Sequence, residues 1–249
     1  QDYRQEFREI SMQLGNRMNA EEWGEFYKKM VYWTMELSQT QEESMKELLI
    51  SQKADANDQF VKFYADQYLD WINGKKEAPV MSHTVFNKKV KPLIEPGKPL
   101  YWVVIDNLRF DQWKMVEPLF ARYFTKEEEK IIFSILPTAT HYARNSFFAG
   151  LLPSEIEKKF PQFWRNEEDE GGKNMFEKEL LETNLKRLGK NIKWSYNKIT
   201  NLEAGKKLND QFNQIKDNDA NFIVYNFVDM LSHARTEMEV IRELASDEA

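Results

Sequence analysis

LYWVVID, residues 100–106, is the stretch that decides the fold. Its apolar residues run without interruption and stop at an acid. The run is too short for a buried helix and does not alternate, so it reads as a strand covered on both faces. KIIFSIL (130–136), NIKWSY (191–196) and NFIVYNFVD (221–229) repeat the pattern. Between them Gln112–Phe124, Tyr142–Gly150 and Lys173–Leu188 read as helices. Buried strands spaced by helices predict a parallel sheet flanked by helices, so residues 100–249 read as an α/β domain. In such sheets ligands gather beyond the C-terminal ends of the strands.

Upstream the pattern changes. Residues 76–99 hold Pro79, Pro92, Pro96 and Pro99 and read as a linker. Residues 1–75 read as helix almost throughout. Phe7, Ile10, Leu14 and Met18 recur at helical spacing, as do Trp23, Phe26, Met30, Trp33 and Leu37. Asn19 before two acids is the expected N-cap of the second helix, and Asn73-Gly74 is the expected end of the third. Short connections predict an antiparallel helical bundle, its aromatic stripe forming a core or a partner surface.

Composition excludes several classes. The chain has 249 residues, a net charge of −6, three histidines and no cysteine. Thiolate metal sites, disulfides and a cysteine nucleophile are ruled out, and lysines interspersed with glutamates argue against general DNA binding. No apolar run approaches the roughly 20 residues of a membrane span, and no secretory leader is visible. The expectation is a cytoplasmic protein without membrane insertion. The sequence opens at Gln1 rather than Met, so it also reads as a fragment.

Three of the four expected strands end in groups suited to a metal and a phosphate. The first ends in Asp106, the second runs into Pro137-Thr138-Ala139-Thr140, and the fourth ends in Asp229 with His233 four residues on. Each has a bland reading: a strand-end Asp or a Thr caps the next helix, and a DxxxH pair is often structural. Their convergence on one rim favours chemistry. A threonine hydroxyl is a weak nucleophile until a base or metal activates it, and two divalent cations can serve an in-line phosphoryl displacement. A helix starting near His141 would also turn its amides toward an anion. On spacing alone, either Thr138 or Thr140 could supply the hydroxyl.

VVIDNLRFDQW (103–113), ILPTATHYARNSFFAG (135–150) and NFVDMLSH (226–233) resemble the PglZ domain of the alkaline phosphatase superfamily. With a helical region in front, the whole chain is similar to the PorX-type response regulators. These join a receiver, a helical bundle and a PglZ effector in two-component systems associated with type IX secretion. The resemblance implies a zinc-dependent phosphatase or phosphodiesterase acting on nucleotide phosphodiesters, with two zinc ions per complete domain. It makes Asp106 a ligand of one zinc and Thr140 the nucleophile touching that zinc. Asp229 and His233 then hold the other. Asn145 and Arg144 would support the phosphoryl oxygens, and Asn107 and Arg109 would hydrogen-bond the ligands. It also implies regulatory partners: a histidine kinase, a sigma factor or secretion components, and a homodimer. The superfamily's later Asp-His pair and further His have no counterpart before Ala249, because His83 and His141 lie elsewhere. The α/β domain is therefore expected to lack its C-terminal part, the receiver to be missing, and this chain to hold metal partly or not at all. The alternative expectation is a non-catalytic output module that binds protein or nucleotide.

Overall fold

The computed structural model describes residues 3–165, 174–226 and 228–232. The chain divides into two compact units, residues 1–81 with 110–133, and residues 82–109 with 134–249.

In the first unit α1 (Tyr3–Leu14) and α2 (Ala20–Ser38) pack on the long α3 (Glu43–Ile72). The expected cap on α2 is present. Glu22 N–H donates to Asn19 Oδ1 at 3.0 Å, and Asn19 N–H donates to Glu22 Oε2 at 2.7 Å, a reciprocal capping box. α3 ends as expected at Gly74, whose φ of +67° lets Lys75 N–H turn back to the Asp70 carbonyl at 2.8 Å. The helical periodicity becomes a core of Phe7, Ile10, Trp23, Phe26, Met30, Trp33 and Leu37.

α4 (Phe110–Phe120) and the chain after it belong to this helical unit, although the sequence reading placed them in the α/β domain. Gly24 of α2 makes room for this segment: a Cβ there would meet Ile131 Cβ at 3.3 Å.

The segment 130–136 corrects the strand expectation. Apart from a single bridge between Met81 and Phe133 it forms no strand. Phe133 instead stacks on Tyr64 with the rings 10° from parallel, and it also meets Phe60 and Trp71 of α3. Phe133 and Ile131 satisfy themselves by packing onto α3 and α2, and a run of this length does not specify which partner it takes. The chain therefore reaches Pro137 from no strand end.

The second unit holds a parallel sheet in the order β1-β3-β2, with helices around it. β1 spans Leu100–Ile105, β2 Trp194–Ile199 and β3 Ala220–Tyr225. β2 begins three residues later than the sequence suggested. α5 (Thr140–Ala149), α6 (Pro153–Lys159) and α7 (Glu177–Arg187) follow β1 in the chain, and α8 (Leu202–Asp210) and α9 (Phe212–Ile215) join β2 to β3. Ile105, Tyr225 and Ile199 lie level in the ladder, so the residues after them share one edge. Asp106 N–H donates to the Tyr225 carbonyl at 3.0 Å and Asn226 N–H to the Ile199 carbonyl at 2.8 Å, which carries the ladder one residue further. Phe86, Phe148, Ile156, Leu180, Leu181, Leu185, Phe222 and Val224 form the core beneath.

Candidate functional site

The level strand ends bring Asp106 and Asn226 to one edge, and α5 delivers Arg144 between them. One terminal nitrogen of its guanidinium, Nη1, donates to Asp106 Oδ2 at 2.6 Å and to Asn226 Oδ1 at 2.7 Å. The other, Nη2, lies 2.6 Å from Glu177 Oε1 and donates to Glu177 Oε2 at 2.8 Å. Glu177 opens α7. Its Oε2 also accepts from the Tyr196 hydroxyl of β2 at 2.7 Å, and Lys198 Nζ stands 3.6 Å away. Five segments thus meet around one planar cation, whose fork of donors suits two acidic partners as a lysine's point charge does not.

Burial sets the electrostatics. The side chains of Arg144 and Glu177 are only 7% and 1% exposed, whereas that of Asp106 is 17% exposed. Burial works against the Arg144 charge, but Glu177 and then Asp106 outweigh it and raise its pKa above the ordinary arginine value. Burial, and secondarily the Glu177 carboxylate, raise the Tyr196 phenol well above its usual range, so it serves as a hydrogen-bond donor. Removing one member of a buried ion pair typically costs about 3–5 kcal/mol, because the other charge is stranded.

α7 also secures the far end of α5. Asn184 Nδ2 donates to the Phe148 carbonyl at 2.9 Å, and the Arg187 guanidinium donates to the Ala149 carbonyl. Gly150 closes α5 with φ +59°, and a Cβ there would run into the Asn184 amide at 3.0 Å.

The expected site residues fall in different places. Asp106 and Arg144 come together. Thr140 is the first residue of α5 and exposed; the cap position is Ala139, which makes no side-chain cap bond. Neither Thr138 nor Thr140 therefore caps this helix. Thr140 and Arg144 are one turn apart at i, i+4 spacing and share a face of α5. Asn145 is 1% exposed, and as Arg144's immediate neighbour it lies on a different face of the helix. Asn107 takes a left-handed φ of 60°, a conformation asparagine tolerates, and turns the chain sharply after Asp106. Asn107 and Arg109 are exposed. Asp229 lies half-buried on the helical turn after β3, whose Met230 N–H bonds the Asn226 carbonyl at 3.1 Å. His233 lies outside the described residues.

The carboxylate of Asp106 is chemically suited to a hard divalent cation, and here a guanidinium neutralises it. Among the described residues, however, no group of three or more His, Asp or Glu side chains gathers as metal ligands. The described residues do not by themselves assemble a metal centre.

Glu177, Tyr196 and Asn226 were not anticipated. Asn226 was within reach, since it follows the apolar core of β3 three residues before Asp229. Glu177 sits in a stretch crowded with glutamates, and nothing in its spacing distinguishes it.

Two family models match the chain. That of the BREX system PglZ alkaline phosphatase-like domain matches residues 85–249, and that of the PorX response regulator linker domain matches residues 1–72. No match is found among curated proteins.

Proposed function

The chain belongs to the PglZ alkaline phosphatase-like family, and from that premise we propose that its α/β unit is a phosphoester hydrolase serving as the output of a response regulator. The observation that carries the reading is the Arg144 bridge, which ties the helix opened by Thr140 to the strand end bearing Asp106. Thr140 is the attacking hydroxyl: it is exposed at the positive end of a ten-residue helix, where a phosphoryl anion is favoured. Its oxygen bonds to phosphorus as the ester oxygen departs and takes up the hydroxyl's proton, and water then cleaves the phosphothreonine, freeing the phosphate product and restoring the hydroxyl. Arg144, which also donates to Asn226, holds the Asp106 carboxylate in place beside this face. Zinc enters the reading as the cofactor the family resemblance implies, with Asp106, Thr140, Asp229 and His233 as the residues that would hold it. Nucleotide phosphodiesters are the substrate class on the same ground.

The test is hydrolysis of bis(4-nitrophenyl) phosphate with zinc supplied, comparing the chain with Thr140→Ala. Loss of turnover with the fold intact supports the assignment; equal rates end it.

The linker-domain match over residues 1–72 favours a second role beside the first, a regulatory partnership in two-component signalling. A histidine kinase upstream, a sigma factor or secretion component downstream, and a homodimer are the partners this reading implies. No helix among the described residues is long and apolar enough to cross a membrane. If signalling persists in Thr140→Ala, the binding role stands without the chemistry.

A further inference from the structure

We propose that Glu177 is a positioning residue for the chemistry assigned to Thr140, acting through Arg144; the inference rests on that assignment. Glu177 is buried to 1% exposure, where a carboxylate is tolerated only with its lone pairs filled by donors. Arg144 Nη2 engages both its oxygens, and Tyr196 adds a further bond to Oε2. A guanidinium is planar, so fixing Nη2 on Glu177 also fixes where Nη1 points. Nη1 then spans the ends of β1 and β3 by its bonds to Asp106 and Asn226. Because Thr140 lies one turn before Arg144 on the same face, the pose of Arg144 sets how the first turn of α5 sits against the Asp106 strand end.

Charge supports the same role. Asp106 and Glu177 share one arginine, and Glu177 is the deeper and more enclosed partner. With Glu177 ionised, the guanidinium is held from below and offers only one nitrogen to the rim. With Glu177 neutralised, the charge that anchors it from below is gone and its orientation is set mainly by Asp106 and Asn226. Glutamine at this position keeps the shape and can still accept from Tyr196, so it isolates the anchoring charge from packing.

The experiment uses the full chain and records side-chain guanidinium proton–nitrogen spectra beside bis(4-nitrophenyl) phosphate kinetics. In the parent chain Arg144 should give resolved, slowly exchanging Nη–H signals, identified by their absence in Arg144→Gln. Glu177→Gln should lose them and lower kcat roughly 100-fold, with KM changed by less than about threefold, as misplacement of a reacting group does. Leu185→Ala is the control: it cuts the same helix's core contacts and costs stability, yet should keep both the signals and kcat. If Glu177→Gln does not fold, Tyr196→Phe replaces it; removing one bond to Glu177 should speed exchange of the Arg144 signals and lower kcat by a few fold. Retention of the parent's signals in folded Glu177→Gln, or in Tyr196→Phe where that variant stands in, overturns the proposal. So does equal loss of the signals in Leu185→Ala. Should the parent and Thr140→Ala hydrolyse equally, the hydrolase reading fails, and the guanidinium signals alone decide whether Glu177 positions Arg144.

Discussion

Arg144 and Glu177 form an ion pair 2.6 Å long between α5 and α7, and both side chains are almost wholly enclosed. A pair this deep gains little over a well-packed apolar one while it is intact, but it is costly to break. Arg144→Gln strands Glu177 in the interior and removes the cation beside Asp106. The expected loss is about 3–5 kcal/mol, read from urea unfolding. A loss below about 1 kcal/mol would show that water reaches Glu177 and that the cluster is not sealed.

Phe133 is the apolar residue whose role the sequence disguised. It fills the aromatic cluster of Phe60, Tyr64 and Trp71 on α3. Phe133→Ala should cost about 3–5 kcal/mol, as other large cavities do. Phe133→Leu should recover most of that loss. Thermal or urea unfolding checks both, and near-neutral behaviour of the alanine variant contradicts the packing described.

The capping box at the start of α2 makes a smaller and separable contribution. Asn19→Ala removes the acceptor for Glu22 N–H, and about 1 kcal/mol of stability should go with it. Asn19→Asp should be nearly neutral, because an aspartate accepts the same bond and suits a helix N-terminus.

His83 gives the chain a pH dependence of known sign. Burial lowers its pKa, with the Glu155 carboxylate pulling upward and Lys88 downward. The unfolded chain therefore takes up this proton near pH 6.5, while the folded chain resists it until lower pH. The contribution is flat above both values, falls as pH drops through about 6.5, and levels off below the folded value. Urea midpoints measured between pH 5 and 8 should fall more steeply with acid for the parent than for His83→Gln. Parallel curves would mean that His83 titrates alike in both states.

The sequence foretold the parts of this architecture that depend on local chemistry. Asn19 and Gly74 mark their helix ends because capping and left-handed turns demand particular residue types. β1 and β3 announce themselves because six apolar residues in a row at 100–105 and four at 222–225 have few other places to go. Residues 130–136 are similarly apolar, yet Ile131 and Phe133 pack on helices, since hydrophobicity specifies burial but not the surface that provides it. The start of β2 was blurred because its polar residues, Ser195 and Asn197, hide the run. Asp106, Asp229 and Thr140 could be singled out because they stand at the edges of apolar runs. Arg144 was singled out only beside Asn145, as a support for the phosphoryl oxygens, and Glu177 not at all. Their meeting is a long-range event, 33 residues apart in sequence, and no local pattern encodes it.

Beside the Arg187 bond to the Ala149 carbonyl, two more side chains of α7 reach α5, Glu177 at the side chain of Arg144 and Asn184 at the carbonyl of Phe148. They lie about two turns apart on α7 and one turn apart on α5. One such attachment would leave α5 free to pivot; two define an axis and a rotational phase. A residue inserted into α5 between Arg144 and Phe148 would turn one attachment point by about 100° relative to the other, so only one could be kept. The two helices therefore have to keep their lengths in step, and a change of spacing in α7 would reset the direction of Thr140 without touching the helix that carries it.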